Sequence, residues 1–286
     1  MKDPEHAEFI STFSFIDSLQ GACYNCQSLF AHGRGDTQRF VLHLLHQLDF
    51  IGLTETRSTP ERLTTLDPRF HTDCLYLESS IDQFKGGIGL LLKRSFLEQF
   101  EEVVVNRDWA VLVEGRIGRL SLCGPRGCLD LFIVYLDPSS AANQISSIKL
   151  LGTYIKSCVH TLILGDFNFV HCKTDRLLKA TNAWSLGDDK AVDTAWVEHI
   201  SSRGIKEWAQ ESHTCETGIA FSRIDRVYSS LHPAHGVHGR ISCQVQQRLP
   251  DLSTHWPLFF SLRTASTDSS FQKKPSWIYN HKLFGE

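Results

Sequence analysis

Short apolar runs recur along most of the chain and alternate with polar or glycine-containing segments. Runs of this length that are rich in β-branched and aromatic residues are typical of β-strands. They predict strands at Asp49–Leu53, Cys74–Leu77, Gly87–Leu92, Trp109–Val113, Leu120–Cys123, Leu129–Tyr135, Thr161–Leu164, Ser222–Tyr228, Gly239–Gln246 and Pro257–Leu262. The pattern therefore indicates a protein rich in strands.

Three other segments have apolar residues at helical spacing. In Thr37–Leu48 these residues fall on one face, and either Asp36 or Thr37 would cap the first turn. The same spacing follows Pro138 in Ser139–Cys158. A third helix is predicted from about Thr194 to Ser202.

Most of the predicted strands follow one another with no helix between them. This order favours mixed or antiparallel sheets over a doubly wound parallel sheet. We therefore expect an α/β protein with two packed mixed β-sheets flanked by helices. No internal linker divides the chain, so one domain is expected over residues 8–264. The polar segment Thr264–Ser270 then leads into a flexible tail or linker over residues 265–286.

Composition narrows the class of protein. With 286 residues, of which 42% are hydrophobic, the chain can bury a large core. Its formal net charge of -3 gives no overall basic field for nucleic acid, although this charge does not exclude a local basic rim. No apolar run approaches the roughly 20 residues that cross a bilayer, so no membrane partner is expected. Nothing in the sequence indicates an obligate oligomer.

Nine cysteines are scattered over the chain, and the first residues lack a basic segment followed by an apolar one. We therefore expect reduced thiols and an intracellular location. The pairs Cys23/Cys26 and Cys123/Cys128 have spacings that also occur in zinc sites. Zinc is the weaker interpretation, because cysteine is a common small buried residue in strands.

The segment HTLILGDFNFV is the sharpest chemical signal. An apolar strand ends at Gly165, and Asp166 and Asn168 follow with Phe167 between them. In an extended chain Asp166 and Asn168 would face the same side and Phe167 the core. A carboxylate can deprotonate water, and an amide can donate to a phosphate oxygen. The alternative is a turn in which both side chains satisfy backbone groups.

Other polar residues also stand at the ends of apolar runs. Glu55 ends DFIGLTE, Asn25 lies in YNCQS, and Tyr135 ends LFIVY. In a strand, SRIDRVY would place Arg223 and Asp225 on one face. Each position alone is more typical of a structural residue. Together they indicate strand ends that converge on one polar site.

These motifs, in this order, resemble the endonuclease/exonuclease/phosphatase superfamily. YNCQS, LTE, GGIGLLL, IVY, GDFN, SRIDRVY and STH follow one another from about Phe15 to Leu262. GDFNFV followed by Asp175 and Arg176, together with SRIDRVY and PSWIYNHKLF, is similar to the apurinic/apyrimidinic-type endonuclease domain of non-LTR (LINE-like) retrotransposons. In such an element a reverse transcriptase module would belong to the same polyprotein, and the location would be nuclear.

The resemblance implies a four-layer α/β sandwich with its site at one edge of the two sheets. It implies that Glu55, supported by Asn25, holds a divalent cation, Mg²⁺ with Mn²⁺ as a substitute. Magnesium prefers carboxylate oxygens and keeps several waters. Asp166 would align or deprotonate the attacking water, and Asn168 would bind a nonbridging phosphate oxygen.

The remaining roles are also carried over from the resemblance. Tyr135 would contact the phosphate or the leaving group, and Asp225 would orient His255, whose imidazolium would stabilise the charge on the phosphate. Ser253 would contact the substrate. Arg223 would help to neutralise the phosphodiester, or it would pair with Asp225 instead.

One motif departs from the family pattern. The family usually has Ser-Asp-His where this chain has Ser253, Thr254 and His255, and Gln27 stands where some relatives have an acidic residue. Either Asp251 reaches the site, or Glu55 and water hold the cation alone, or catalysis is impaired. The leading hypothesis is a metal-dependent DNA endonuclease. The alternatives are an impaired relic and a phosphatase acting on a nucleotide, an RNA end or a phosphoinositide.

Overall fold

The computed structural model describes residues 18–31, 35–125, 127–185, 187, 189–231 and 240–263. Residues 8–17 of the predicted domain and the predicted tail over residues 265–286 lie outside these described residues. In the part of the chain that is described, no helix has the length and apolar character needed to cross a membrane.

Sixteen strands make up the sheets in the described part of the chain. In chain order they are β1 (Ser18–Asn25), β2 (Phe50–Thr54), β3 (Cys74–Ser79), β4 (Ile88–Lys93), β5 (Trp109–Val113), β6 (Ile117–Gly124), β7 (Gly127–Tyr135), β8 (His160–Asp166), β9 (Arg176–Leu178), β10 (Ala183–Trp184), β11 (Lys206–Glu207), β12 (Cys215–Glu216), β13 (Ala220–Ser222), β14 (Asp225–Ser229), β15 (Arg240–Val245) and β16 (Leu258–Arg263).

Seven α-helices are described. They are α1 (Asp36–Leu45), α2 (Pro60–Leu63), α3 (Arg69–Thr72), α4 (Arg94–Leu97), α5 (Val105–Asp108), α6 (Ala141–Tyr154) and α7 (Lys190–His199), and short 3₁₀ turns lie at Lys173–Asp175 and Ser201–Arg203. The three long helices agree with the predicted ones, although each ends several residues earlier than the pattern indicates.

Two six-stranded sheets form the centre of the molecule. The first has the strand order β15-β16-β1-β2-β4-β3, and the second has the order β11-β14-β8-β7-β6-β5. Each contains one parallel pair, β1 with β2 and β7 with β8, among antiparallel ones. Both sheets are therefore mixed, as predicted. A four-stranded sheet, β10-β9-β13-β12, was not predicted.

The main core lies between the two large sheets. Its buried side chains come from both of them, for example Phe50, Leu90 and Leu258 from the first sheet and Leu131 and Leu164 from the second. At Gly52 the sheets approach closely, because a Cβ there would lie 2.7 Å from Leu164 Cδ1. Burial of apolar surface on these inner faces holds the two sheets together.

Helices cover the outer faces. Val41 and Leu45 of α1 pack on the first sheet, and Leu151 of α6 and Trp196 of α7 pack on the second. The order of layers is helix, sheet, sheet and helix. The predicted α/β class, with two packed mixed sheets flanked by helices, is thus confirmed.

Two local predictions are wrong. SRIDRVY is not one continuous strand, because β13 ends at Ser222 and β14 begins at Asp225. The thiols of Cys123 and Cys128 are not reduced: the two residues face each other across the β6–β7 hairpin and form a disulfide. Cys23 and Cys26 are free and buried.

Candidate active site

Three polar residues stand in one row at the end of the second sheet. The register pairs Tyr135 of β7 with Asp166 of β8, and Asp166 with Asp225 of β14. Gly165 allows this close packing, since its φ is +141° and a Cβ would lie 2.0 Å from the carbonyl oxygen of Val134. The sheet itself therefore places a phenol and two carboxylates side by side.

Asn168 reaches the site through a turn. β8 ends at Asp166, and Asn168 has a left-handed φ of 52°, so the expected extended alternation does not apply. The Asn168 N–H donates to Asp166 Oδ1 at 3.0 Å, and its side-chain amide donates to the carbonyl of Leu136 at 2.9 Å. Phe167 is buried, as predicted. The turn fixes Asn168 directly beside Asp166.

Asn25, at the end of β1, connects the two sheets. Its Nδ2 donates to Asp166 Oδ2 at 2.9 Å and lies 3.3 Å from Glu55 Oε1, while its Oδ1 accepts from the Gln27 N–H at 3.1 Å. Asn25 is 1% exposed. One buried amide therefore holds both carboxylates, and Glu55 and Asp166 face the same polar space.

Glu55 follows β2 with a left-handed φ of 52°. Its Oε1 accepts from the Tyr135 hydroxyl at 2.6 Å, and its Oε2 from Arg57 Nη2 at 2.6 Å. Burial opposes the charge on Glu55, but the Tyr135 and Arg57 hydrogen bonds outweigh it and lower the pKa. Burial and the Glu55 charge raise the pKa of Tyr135, so its phenol keeps its proton.

His255 and Asp225 form a buried ion pair. His255 Nδ1 lies 2.8 Å from Asp225 Oδ2, and Thr214 Oγ1 accepts from the Asp225 N–H at 2.9 Å. Burial disfavours charge on His255, yet attraction to Asp225 prevails and raises its pKa well above the usual value. The imidazole is therefore held as an imidazolium, with Nε2 on the side away from Asp225.

Asp166 is a carboxyl group with an unusual pKa. Burial, with repulsion from Asp225 as the second cause, raises its pKa to about 7, against the opposing effect of His255. Asp166, Asp225 and His255 have ligand atoms within 4.8 Å of one another. A carboxylate that gains and loses its proton near neutral pH is suited to act as a general base.

Ser253 holds backbone. Its hydroxyl donates to the carbonyl of Asn25 at 2.7 Å and accepts from the His255 N–H at 3.0 Å. The side chain is buried. Ser253 thus ties the end of β1, which carries Asn25, to the segment before β16, which carries His255.

Arg223 does not pair with Asp225, as one alternative expected. Its Nε donates to Asp175 Oδ1 at 2.7 Å, and its Nη1 bonds Glu207. Because both neighbours are carboxylates that fix the guanidinium, Arg223 belongs to an ion-pair network beside the row of strand ends. Its contact with the phosphodiester stays a prediction.

The architecture and these motifs agree with a family comparison. A model described as Endonuclease/Exonuclease/phosphatase family matches residues 22–255, which is most of the chain. The chain belongs to this family. Its members are generally hydrolytic enzymes. No curated protein sequence gives a significant match.

Solved structures share the fold of this family member. An AP endonuclease from Archaeoglobus fulgidus superposes with a TM-score of 0.64 at 14% identity, covering 85% of this chain and 98% of that one. A humanized D. rerio TDP2 gives 0.59 at 15% identity, with 87% and 100% covered. Caenorhabditis elegans TDP2 gives 0.56 at 12%, with 86% and 98% covered. At these identities the likeness concerns the fold.

Thr254, which departs from the family pattern, contacts Gln27, which stands where some relatives have an acidic residue. Gln27 Nε2 donates to Thr254 Oγ1 at 2.9 Å, and Gln27 Oε1 accepts from the Thr254 N–H at 2.9 Å. Gln27 has a left-handed φ of 48°. The neutral amide of Gln27 and the neutral hydroxyl of Thr254 therefore bring no negative charge to this side of the site.

The residues near Glu55 fit a hard divalent cation. Glu55 and Asp166 supply carboxylate oxygens, the donors that Mg²⁺ and Mn²⁺ prefer. Asp225 Oδ1 is buried and has no hydrogen-bond partner among the described residues. The group of Asp166, Asp225 and His255 fits a cation less well, because the imidazolium of His255 repels it. Glu55 is the residue that would hold the ion.

Two contacts at the site were not predicted. Arg57 binds Glu55, and Thr214 also accepts from the Ile224 N–H at 3.2 Å, which fixes the approach to β14. Arg57 stands two positions after Glu55 in LTETR, and Thr214 lies in HTC before SRIDRVY. Neither position carries a spacing signal, since both contacts depend on loop geometry.

Proposed function

We propose that this protein is a divalent-metal-dependent phosphodiesterase that cleaves DNA by in-line attack of water. The observation that supports it most is the row of Tyr135, Asp166 and Asp225, with His255 paired to Asp225 and Glu55 held by Tyr135 and Asn25. A base, a cationic donor and a carboxylate for a metal thus surround one polar space.

Asp166 is the proposed general base. With a pKa near 7 its carboxylate takes the proton of the attacking water, whose oxygen forms the new bond to phosphorus. The bond to the leaving oxygen breaks, and this oxygen takes a proton from solvent. Asn168, fixed beside Asp166, is proposed to bind a nonbridging oxygen. Tyr135 keeps its proton and donates its hydrogen bond to Glu55 Oε1.

His255 is proposed to stabilise the charge that grows on the phosphate. Its imidazolium is preorganised by Asp225, so little reorganisation is needed during the reaction. A divalent cation held by Glu55 would neutralise phosphate charge as a Lewis acid. Ser253 contributes by fixing the Asn25 and His255 backbones.

We also propose that the chain derives from a non-LTR retrotransposon and nicks target DNA in the nucleus, with a reverse transcriptase in the same polyprotein. GDFNFV, SRIDRVY and PSWIYNHKLF support this branch. DNA as the substrate agrees with the fold neighbours, one an AP endonuclease and another a D. rerio TDP2 complexed with single strand DNA product. An impaired relic is the second candidate, because Gln27 and Thr254 are neutral.

A plasmid-nicking assay tests the proposal. We expect the wild-type protein to convert supercoiled plasmid to the nicked form with Mg²⁺ or Mn²⁺ and to lose this activity in excess EDTA. Asp166→Asn should abolish nicking, whereas Asp73→Asn, a matched change at an exposed aspartate, should not. Equal nicking by wild type and Asp166→Asn would show that the proposed mechanism is wrong. No nicking by either would favour the relic.

A further inference from the structure

Arg57 is held against Glu55 by the fold around it. Its N–H donates to the carbonyl of Gly86 at 3.2 Å, and its φ is a left-handed 50°. Gly87 makes this packing feasible, because a Cβ there would lie 2.3 Å from Thr56 Oγ1. The loop that contains Gly86 and Gly87 thus fixes the Arg57 backbone, and the guanidinium reaches Glu55 Oε2 at 2.6 Å.

The guanidinium of Arg57 is only partly used. Among the described residues its Nε is buried and has no hydrogen-bond partner, although the side chain as a whole is 33% exposed. A buried unpaired donor costs free energy unless a ligand or water satisfies it. Arg57 therefore has both access to solvent and an open donor next to the carboxylate.

A second arginine flanks the same pair of residues. The Arg116 guanidinium carbon lies 4.6 Å from the centre of the Tyr135 ring, and its nearest carboxylate, Asp137, is 4.0 Å away. Its Nη1 is also buried without a partner in the described part of the chain. Arg57 and Arg116 thus place two incompletely paired cations around the Glu55–Tyr135 hydrogen bond.

The negative charges at the site are stabilised by such cations. Glu55, Asp166 and Asp225 carry acidic groups, and a phosphodiester adds another negative charge. Arg223, which the sequence indicated for this role, is fixed by Asp175 and Glu207. Arg57 is in direct contact with Glu55, a carboxylate of the site.

We propose that Arg57 has two opposing effects: it binds the substrate phosphate, and it weakens cation binding at Glu55. A guanidinium and a divalent cation are attracted to the same carboxylate and repel each other. A phosphate is attracted to both, so its arrival offsets the repulsion. Arg57 thereby makes retention of the cation depend on substrate. This inference rests on the proposed function.

A different result is expected if Arg57 only holds Glu55 in position. If Arg57 only positioned Glu55, its removal would loosen the carboxylate and weaken Mn²⁺ binding. If Arg57 competes with the ion, its removal strengthens Mn²⁺ binding. The sign of the change therefore separates the two roles.

The test uses Mn²⁺ titration followed by electron paramagnetic resonance, and DNA binding followed by fluorescence anisotropy in EDTA. For Arg57→Ala we expect about threefold to tenfold tighter Mn²⁺ binding, since partial exposure of Arg57 screens the repulsion. DNA binding should weaken, and its slope against log salt should fall by about one. Arg57→Lys should stay nearer to wild type in both assays.

Controls separate this inference from the proposed function. Arg69→Ala removes an exposed arginine that pairs with Asp67, and should change neither quantity. Glu55→Gln should abolish the Mn²⁺ binding; if it does not, the proposed cation site is wrong. If Glu55→Gln abolishes binding but Arg57→Ala binds Mn²⁺ no more tightly, only the inference is overturned. Unchanged DNA binding in a folded Arg57→Ala, checked by circular dichroism and repeated with Arg57→Gln, also overturns it.

Discussion

The side-chain amide of Gln27 bonds both the N–H and the hydroxyl of Thr254, each at 2.9 Å. This reciprocal bonding satisfies both side chains, and neither of them carries a charge. Their neutrality leaves Glu55 as the carboxylate available to a cation on this side. Gln27 and Thr254 are therefore one structural feature.

Replacing Thr254 by aspartate should increase metal affinity. Thr254→Asp adds a carboxylate that Gln27 Nε2 can still bond, so we expect little change in the free energy of unfolding. Mn²⁺ affinity should rise about tenfold, because affinity for hard cations follows the number of charged ligands. Titration with Mn²⁺ measures this, with Thr254→Asn as the uncharged control. Equal affinity in both variants would place the cation elsewhere.

The nicking rate should depend on the protonation of Asp166. Its pKa is about 7, and only the carboxylate accepts the proton of water. The rate should therefore fall about tenfold per pH unit below this value and level off above it. Initial rates between about pH 5 and about pH 9 at constant ionic strength would show this. A flat profile would exclude Asp166 as the base.

Removing the charge of Asp166 should stabilise the protein at high pH. A pKa raised above its unfolded value of about 4 means that the folded state binds the proton more tightly. Stability is therefore lost as pH rises through the interval from about 4 to about 7. Asp166→Asn should raise Tm near pH 8 but not near pH 4, as thermal melting would show. A lower Tm at both pH values would contradict this.

The hydrophobic pattern predicted the fold, because most of the apolar runs follow one another with few helices between them. The three long helices and most strands of the two large sheets follow from burial alone, as at Phe50 and Leu131. The four-stranded sheet was missed because its strands, such as β10 with Ala183 and Trp184, are too short to show a period. The Cys123–Cys128 disulfide depends on hairpin register, which spacing does not fix.

Strand-end motifs indicated which polar residues would meet, but not their partners. Asp166 and Asp225 come together because β8 and β14 pair in register, and these strand ends are visible in the sequence. His255 joins them from the segment before β16, through its contact with Asp225. Arg57 was missed, and the pairing of Arg223 with Asp225 that one alternative expected is not found, since a long arginine side chain selects among carboxylates only after the loops are placed. The local sequence pattern does not determine the contacts that loop residues make.

Replacing Asp175 should lower the free energy of unfolding. It is 1% exposed and accepts from Arg223 Nε at 2.7 Å and from Arg226 Nη2 at 3.0 Å. Because Arg226 is fully buried, Asp175→Ala would leave a buried charge without its main partner, which typically costs about 3 to 5 kcal/mol. Urea unfolding would measure this loss. Asp189→Ala, which breaks the more exposed pair with Arg176, is the control and should cost far less.

Asp225→Asn should keep the position of His255 but weaken the stabilisation of its positive charge. The amide can still bond Nδ1 at the distance now seen, 2.8 Å, but it no longer holds the imidazolium electrostatically. We expect the His255 pKa to fall, and the nicking rate at neutral pH to fall by about 10² to 10³, the usual effect of losing one preorganised donor. Proton NMR titration of His255 and the nicking assay would measure the two changes.

Because Asp225→Asn also removes a charge that repels the Asp166 carboxylate, the pKa of Asp166 should fall as well, and the acidic limb of the pH profile should move to lower pH. An unmoved limb together with an unchanged His255 pKa would show that the three groups do not form one coupled site.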